Sequence, residues 1–309
     1  MIWLVGQNGM LGTELCEGLT ARGLPWVGSS RDVDVGDASR LEVFAAKLSK
    51  PPTWIVNCSA YTFVDKAEDE VEACTRLNVN GAENLARLAD RLGAALLHVS
   101  TDYVFDGRGV AGPKATLRPY VETDHVGPQG VYGRTKAEGE ARITAHCARH
   151  IIFRTAWLYG AAGPNFVFTM LRLMKTKQAL GVVADQFGSP TWTRDLASVM
   201  AEVLAQPAPE ANHPTWGVYH VSGEGQSTWF EFASAILKGG QAEGLLDPAK
   251  PLTLNPLTTD QYPTKAKRPA WSVLSKEKLK QNFGLEMPPW KASLNKFLQE
   301  IHSKGMLIP

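Results

Sequence analysis

An α/β fold is predicted, a doubly wound parallel sheet followed by a smaller α+β lobe, and three observations predict it. Short apolar runs alternate with helix-period segments through the first half of the chain. A glycine-rich loop joins the first apolar run to the first helical segment. Past about residue 160 the alternation weakens and proline- and glycine-rich connections take over. A length of 309 residues suits one large α/β unit with a smaller companion.

Element by element, Ile2-Trp3-Leu4-Val5 reads as a buried strand, and Leu11, Leu15 and Leu19 share one face of the helix behind it. Residues 25–28 form a second strand. A helix follows through Leu41, Phe44 and Leu48, with Asp37 placed to cap its start. Residues 53–56 and 95–99 are further strands, separated by an amphipathic helix marked by Leu85, Leu88 and Leu92. A helix over 132–144 leads to a strand at 151–153. Such alternation implies parallel βαβ units. Helical patterns then stand at 166–173, 232–237 and 294–301, with 206–209 and 247–256 as connections.

Composition excludes several function classes. Lysine and arginine total 32 against 31 acids, which removes bulk attraction to nucleic acid or anionic membrane as the main activity. The four cysteines are far apart with no CxxC pair, so reduced thiols are expected rather than a disulfide framework or zinc cluster. With no basic leader and no apolar run near the roughly 18 residues of a membrane span, a cytoplasmic protein is expected.

Gly6-Gln7-Asn8-Gly9-Met10-Leu11-Gly12 follows the first strand and opens the first helix. Gly6 permits the tight turn, Gly9 lets backbone approach a pyrophosphate, and Gly12 allows close packing, while the helix N-terminus points N–H groups at the phosphates. The spacing is GxxGxxG rather than GxGxxG, and a plain strand–helix turn is the alternative. Residues 1–160 are therefore expected to form an NAD(P)-binding Rossmann domain. Residues 161–309 are mainly a substrate-binding lobe, with some elements returning to the first domain. Past the second strand stands Gly28-Ser29-Ser30-Arg31. A guanidinium with two hydroxyls suits a 2′-phosphate, which favours NADPH, although Arg31 as a solvated charge stays open and Asp32 and Asp34 keep NADH possible.

Tyr132-Gly133-Arg134-Thr135-Lys136 puts a phenol and an ammonium on one helical face. The lysine charge would lower the phenol's pKa and suit Tyr132 to proton transfer at a carbonyl. Ser100-Thr101-Asp102 follows a strand, where Thr101 would hydrogen-bond the carbonyl oxygen or simply cap a turn. His146 and His150, four residues apart, match a zinc pair but lack a third ligand nearby, so a helix end is preferred and no metal is assigned.

These residues, with the runs 57–68, Ser100 to Gly107, 131–136, 153–159, 185–191 and Arg268-Pro269, resemble the extended short-chain dehydrogenase/reductase superfamily and, within it, the dTDP-4-dehydrorhamnose reductase family, over nearly the whole chain. The resemblance implies hydride transfer from a reduced nicotinamide to C4 of a dTDP-linked 4-keto-hexose, and so polysaccharide precursor synthesis. It implies that Tyr132 is the acid, that Lys136 holds the nicotinamide ribose and tunes Tyr132, and that Thr101 orients the carbonyl. It places Gly6, Asn8, Gly9, Met10, Leu11, Gly12, Ser59, Ala60 and Tyr61 along the cofactor, with Asp34 and Val35 near the adenine. Thr62, Val64, Asp102, Tyr103 and Trp157 fall at sugar-facing positions, and core packing stays open for Trp157. The implied partner is a dTDP-sugar, on a monomer or homodimer. Residues 107–130 look longer than the family's usual connection, and an insertion there would alter a lid over the sugar. The family's magnesium-linked dimer is not carried over, since its acidic ligands find no match.

Two other readings stand beside this one. Related 4,6-dehydratases place a glutamate after Thr-Asp, where this chain has Tyr103, so reduction is preferred. A non-catalytic regulatory subunit of the same fold would bind nucleotide without turnover, and the intact Tyr132 and Lys136 argue against it.

Overall fold

The computed structural model describes residues 1–112, 116–210 and 213–306. Six parallel strands form the central sheet: β1 (Ile2–Val5), β2 (Trp26–Ser29), β3 (Trp54–Asn57), β4 (Ala95–Thr101), β5 (His150–Thr155) and β6 (Gly217–His220). Their order is β6-β5-β4-β3-β1-β2. The chain reverses direction across the sheet between β1 and β3, and the crevice beyond their C-terminal ends is where ligands bind in such folds.

Strand parity builds two cores. Ile2, Leu4, Trp54, Val56, Leu97, Ile151 and Phe153 face helices α1 (Met10–Ala21) and α6 (Thr193–Ala205), which contribute Leu11, Leu15, Leu19, Leu196 and Met200. Trp3, Val5, Ile55, Leu96 and Ile152 face the other way, onto Leu41 of α2 (Ala38–Ala46), Leu85 and Leu88 of α3 (Gly81–Leu92), and Ile143 of α4 (Val131–His146). Asp37 does cap α2, accepting the Ser39 and Arg40 N–H groups. That helix ends at Ala46, short of Leu48. Ahead of α3, the helix Val71–Thr75 runs into a π turn at Arg76–Asn80, a local widening often found at functional sites.

A third core joins α5 (Phe166–Thr176), α7 (Trp229–Ala242) and α9 (Trp290–Ser303) around Phe168, Leu171, Phe232, Leu294 and Phe297. The periodicity did not reveal α6, β6 or the helix α8 (Glu277–Phe283). Part of the expected 247–256 connection is a strand, Thr253–Leu257, paired in parallel with Ala179–Val183. His146 and His150 do not share a helical face, because α4 ends at His146 and His150 opens β5 with its Nδ1 2.6 Å from the Cys147 carbonyl. Residues 116–130 are built into the fold rather than left as a loose cover. Tyr120, 2% exposed, stacks on Phe105 at 4.1 Å and donates to Asp106 at 2.7 Å. All four cysteines are free thiols. No helix among the described residues is long and apolar enough to cross a membrane.

Candidate active site

Close backbone approaches shape the turn after β1. Gly6 has φ +86°, and a Cβ there would lie 2.9 Å from the Ser59 nitrogen. A Cβ on Gly12 would come within 2.1 Å of the Gly6 carbonyl oxygen, so α1 rises directly against the loop. Gly9 is the N-cap, exposed and without a side chain to occupy the first-turn N–H groups. Those donors and the positive end of the helix dipole face outward beside exposed Asn8, a set that fits a dinucleotide pyrophosphate. Met10 is half-buried, and Leu11 turns inward to the sheet core.

At the end of β2 the anion pocket differs from the expectation. Arg31 is exposed, but Ser29 is fully buried and its Oγ accepts from the Trp3 indole at 2.9 Å. Strand parity sends it into the core, leaving Ser30 as the hydroxyl beside Arg31. Asp34 pairs with Arg76, whose guanidinium packs over Gly36, and accepts the Gly36 N–H at 2.9 Å. Burial opposes ionisation of Asp34, yet those partners hold it below the usual carboxylate value. Val35 is buried against Gly81. Arg76 is a second cation at this edge that no local motif signals.

Past β3, Ser59 donates its N–H and its hydroxyl to Asn57 Oδ1, at 2.9 and 2.7 Å. Tyr61 is fixed by Asn78, which accepts its N–H at 2.9 Å, and its phenol donates to Glu70 at 2.6 Å. Its ring packs with Ala67, Cys74 and Val131, against which Tyr132 also rests. Ala60 and Val64 are half-buried and Thr62 is exposed along the same rim.

Two contacts set α4. Glu68 accepts the Val131 N–H at 2.8 Å, capping the helix from outside. Gly133 lets it close on the Tyr103 carbonyl, which a Cβ would approach to 2.2 Å. Tyr132 then meets Tyr103 edge to face at 5.5 Å. Thr101 ends β4, accepts the Tyr103 N–H at 3.2 Å and donates to Asp102 at 3.0 Å. It therefore caps the turn that sets Tyr103 against Tyr132.

The electrostatics reverse one expectation. Burial holds the Tyr132 phenol above its ordinary pKa, the opposite direction to the expected lowering. The lysine, 1% exposed, turns its Nζ instead to the Val99 carbonyl at 2.7 Å and to His98 Nε2 at 3.0 Å. Burial lowers Lys136 itself to about 8. Asp102 is 2% exposed and burial raises it to about 6. Among the described residues its Oδ2 has no hydrogen-bond partner.

From the second half of the chain, Arg268 pairs with Asp65 and donates to the Tyr103 hydroxyl at 3.4 Å. Trp157 holds a left-handed backbone, φ +48°, costly for so large a residue. Its half-exposed indole stacks on Trp229 at 3.6 Å and abuts Gly188, where a Cβ would fall 2.4 Å from the ring. Sequence reasoning missed His98 and Asn78, whose roles depend on neighbours distant in sequence, and gave Asn57, inside the 57–68 run, no role of its own. Glu68 stood inside the 57–68 run without a role.

A family model described as the RmlD substrate binding domain matches residues 1–303. The chain is 39% identical over 306 residues to dTDP-4-dehydrorhamnose reductase of Escherichia coli strain K12, covering 97% of each. It is similar to the crystal structure of a dTDP-4-dehydrorhamnose reductase from Clostridium acetobutylicum, with a TM-score of 0.86 and 36% identity over 97% of this chain and 99% of that one. A structure from Bacillus anthracis, described as dTDP-4-dehydrorhamnose reductase in complex with NADP, aligns with a TM-score of 0.84 and 34% identity over 97% and 98% of the two chains.

Proposed function

The chain belongs to the RmlD substrate binding domain family, and on that premise we propose that it is an NADPH-dependent oxidoreductase reducing the C4 ketone of dTDP-4-dehydro-L-rhamnose to dTDP-L-rhamnose. One observation carries the reading: Tyr132 packs on Tyr103, which Thr101 caps at the end of β4, while Lys136, one turn further along α4, is buried with its Nζ on Val99 of the same strand. The named relatives support the substrate and the NADP-bound relative supports the cofactor.

NADPH, when bound, supplies the hydride. The Gly6–Gly12 loop and the open end of α1 would hold its pyrophosphate, Arg31 and Ser30 the 2′-phosphate, and Asp34 and Val35 the adenosine end. Ser59, Ala60 and Tyr61 would border the remainder. Tyr132 hands its proton to O4 of the sugar as the carbon is reduced. A phenol that burial keeps protonated is suited to that acid role. Thr101 orients the carbonyl oxygen, and Lys136 would hold the nicotinamide ribose. Asp102, Tyr103, Thr62, Val64 and Trp157 would surround the sugar. Residues 1–160 would then carry the cofactor and 161–309 mainly the sugar nucleotide, with β6 given back to the sheet.

Purified protein supplied with dTDP-4-dehydro-L-rhamnose should oxidise NADPH faster than NADH and release dTDP-L-rhamnose. Cofactor binding with no turnover of any 4-keto sugar nucleotide overturns the proposal and leaves a regulatory, non-catalytic protein.

A further inference from the structure

We infer that His98 is a positioning residue for Lys136: Asn57 and Ser59 fix its tautomer so that Nε2–H faces the lysine amine, favouring its neutral form and aiming it while the cofactor is absent. The inference rests on the site role proposed for Lys136.

The argument starts from a donor that cannot be reversed. The Ser59 backbone N–H points at one atom of the Asn57 amide, 2.9 Å away, and that atom must be the acceptor Oδ1. The Ser59 hydroxyl, 2.7 Å from the same atom, agrees. Asn57 Nδ2 is therefore the atom 3.0 Å from His98 Nδ1. An amide nitrogen only donates, so Nδ1 accepts and the proton of the neutral ring sits on Nε2. Asn57 and His98 are direct partners in the β3–β4 register, which holds this geometry in the sheet. His98 is 1% exposed, and burial drives it well below its ordinary pKa, so the ring is neutral.

Nε2 lies 3.0 Å from Lys136 Nζ. An N–H facing an ammonium would set donor against donor, whereas a neutral amine offers its lone pair. The amine still donates one N–H to Val99 O at 2.7 Å and keeps one more for a ligand.

Other charged or titratable groups face the lysine. Glu140 and Tyr132 share its helix, Cys74 reaches it from Val71–Thr75, and Cys58 from the end of β3. Glu140 favours the ammonium, but Arg154 pairs with its carboxylate at 2.6 Å and Ser100 donates to it at 2.5 Å. To charge, Lys136 takes the Nε2 proton while a solvent proton arrives at Nδ1, a net uptake of one. Nδ1–H then faces Asn57, whose amide must turn over and release the Ser59 N–H. The charge of Lys136 is thus coupled to the Asn57–Ser59 turn.

Two measurements test this. Long-range ¹⁵N NMR of ring-labelled histidine in the full-length, cofactor-free protein, assigned by the signal lost in His98→Gln, should show His98 protonated at Nε2 and bare at Nδ1. An Nδ1–H tautomer overturns the inference, whatever the enzyme's substrate proves to be. In His98→Met no N–H is left to oppose the ammonium, so the high-pH limb of kcat/KM should move up by about one pH unit. A folded, active variant whose limb stays in place or moves down makes His98 a packing residue only.

Discussion

Burial acts on Tyr132 and Asp102 in the same direction, raising both, with different consequences. For Tyr132 the raised value keeps a proton available for transfer. Tyr132→Phe preserves the ring's packing against Tyr103 and the Tyr61 cluster while removing that proton. It should lower kcat by roughly 10²–10⁴-fold and leave the NADPH Kd unchanged, read by initial rates and by fluorescence titration. For Asp102, a folded-state value of about 6 against the ordinary 3.8 means that the folded protein binds the extra proton. The Asp102 contribution to stability is then greatest below about pH 4 and falls as pH rises through 6. Asp102→Asn should remove that slope, raising stability by up to about 3 kcal/mol at pH 8 and by almost nothing at pH 4, as denaturant melts at the two pH values will show. Single residues could be nominated where type and spacing suggest the chemistry, as with Thr101, Tyr132 and Lys136. They were illegible where orientation mattered: Ser29 reads as a hydroxyl beside Arg31, but strand parity gives it to Trp3.

At the scale of elements, the glycine loop was readable because its logic is local: a strand, a turn, a helix start. Gly12 shows how little room that logic leaves. Gly12→Ala drives a methyl into the Gly6 carbonyl, and backbone must move to accept it. The expected result is a loss of about 1–3 kcal/mol in stability and a weaker NADPH Kd, from melts and titration together. The His98–Asn57 pair was not readable, because it exists only once β3 and β4 fix their register. Asn78 likewise depends on the π turn at Arg76–Asn80, which no apolar period announces. The strand β6 escaped notice for a related reason: Gly-Val-Tyr-His is too short to show alternation and lies far along the chain from β5, its parallel neighbour.

Across the whole molecule, the first and last helical layers are tied through Arg194 on α6. It pairs with Glu14 of α1 at 2.8 Å and with Glu300 of α9, and both carboxylates are largely shielded from water. Arg194→Met would leave two poorly hydrated anions without their shared cation. Because the guanidinium is itself about a third exposed, the expected loss is about 2 kcal/mol rather than the full cost of a buried pair. Chemical denaturation measures it, and Glu14→Gln in the same background should recover part of the loss.

The placement of β6 bears on how the molecule breaks apart. Its outer position beside β5 means that the polypeptide past Ala205 supplies a border of the sheet that the preceding residues began. A chain severed between Ala205 and Gly217 should therefore yield two fragments that co-elute on gel filtration, each shielding hydrogen-bonding backbone that the other would expose. Neither fragment, produced by itself, should accumulate in soluble form, so gene fusions or transplants that treat the nucleotide-binding half as a detachable cassette should fail unless they carry β6 along.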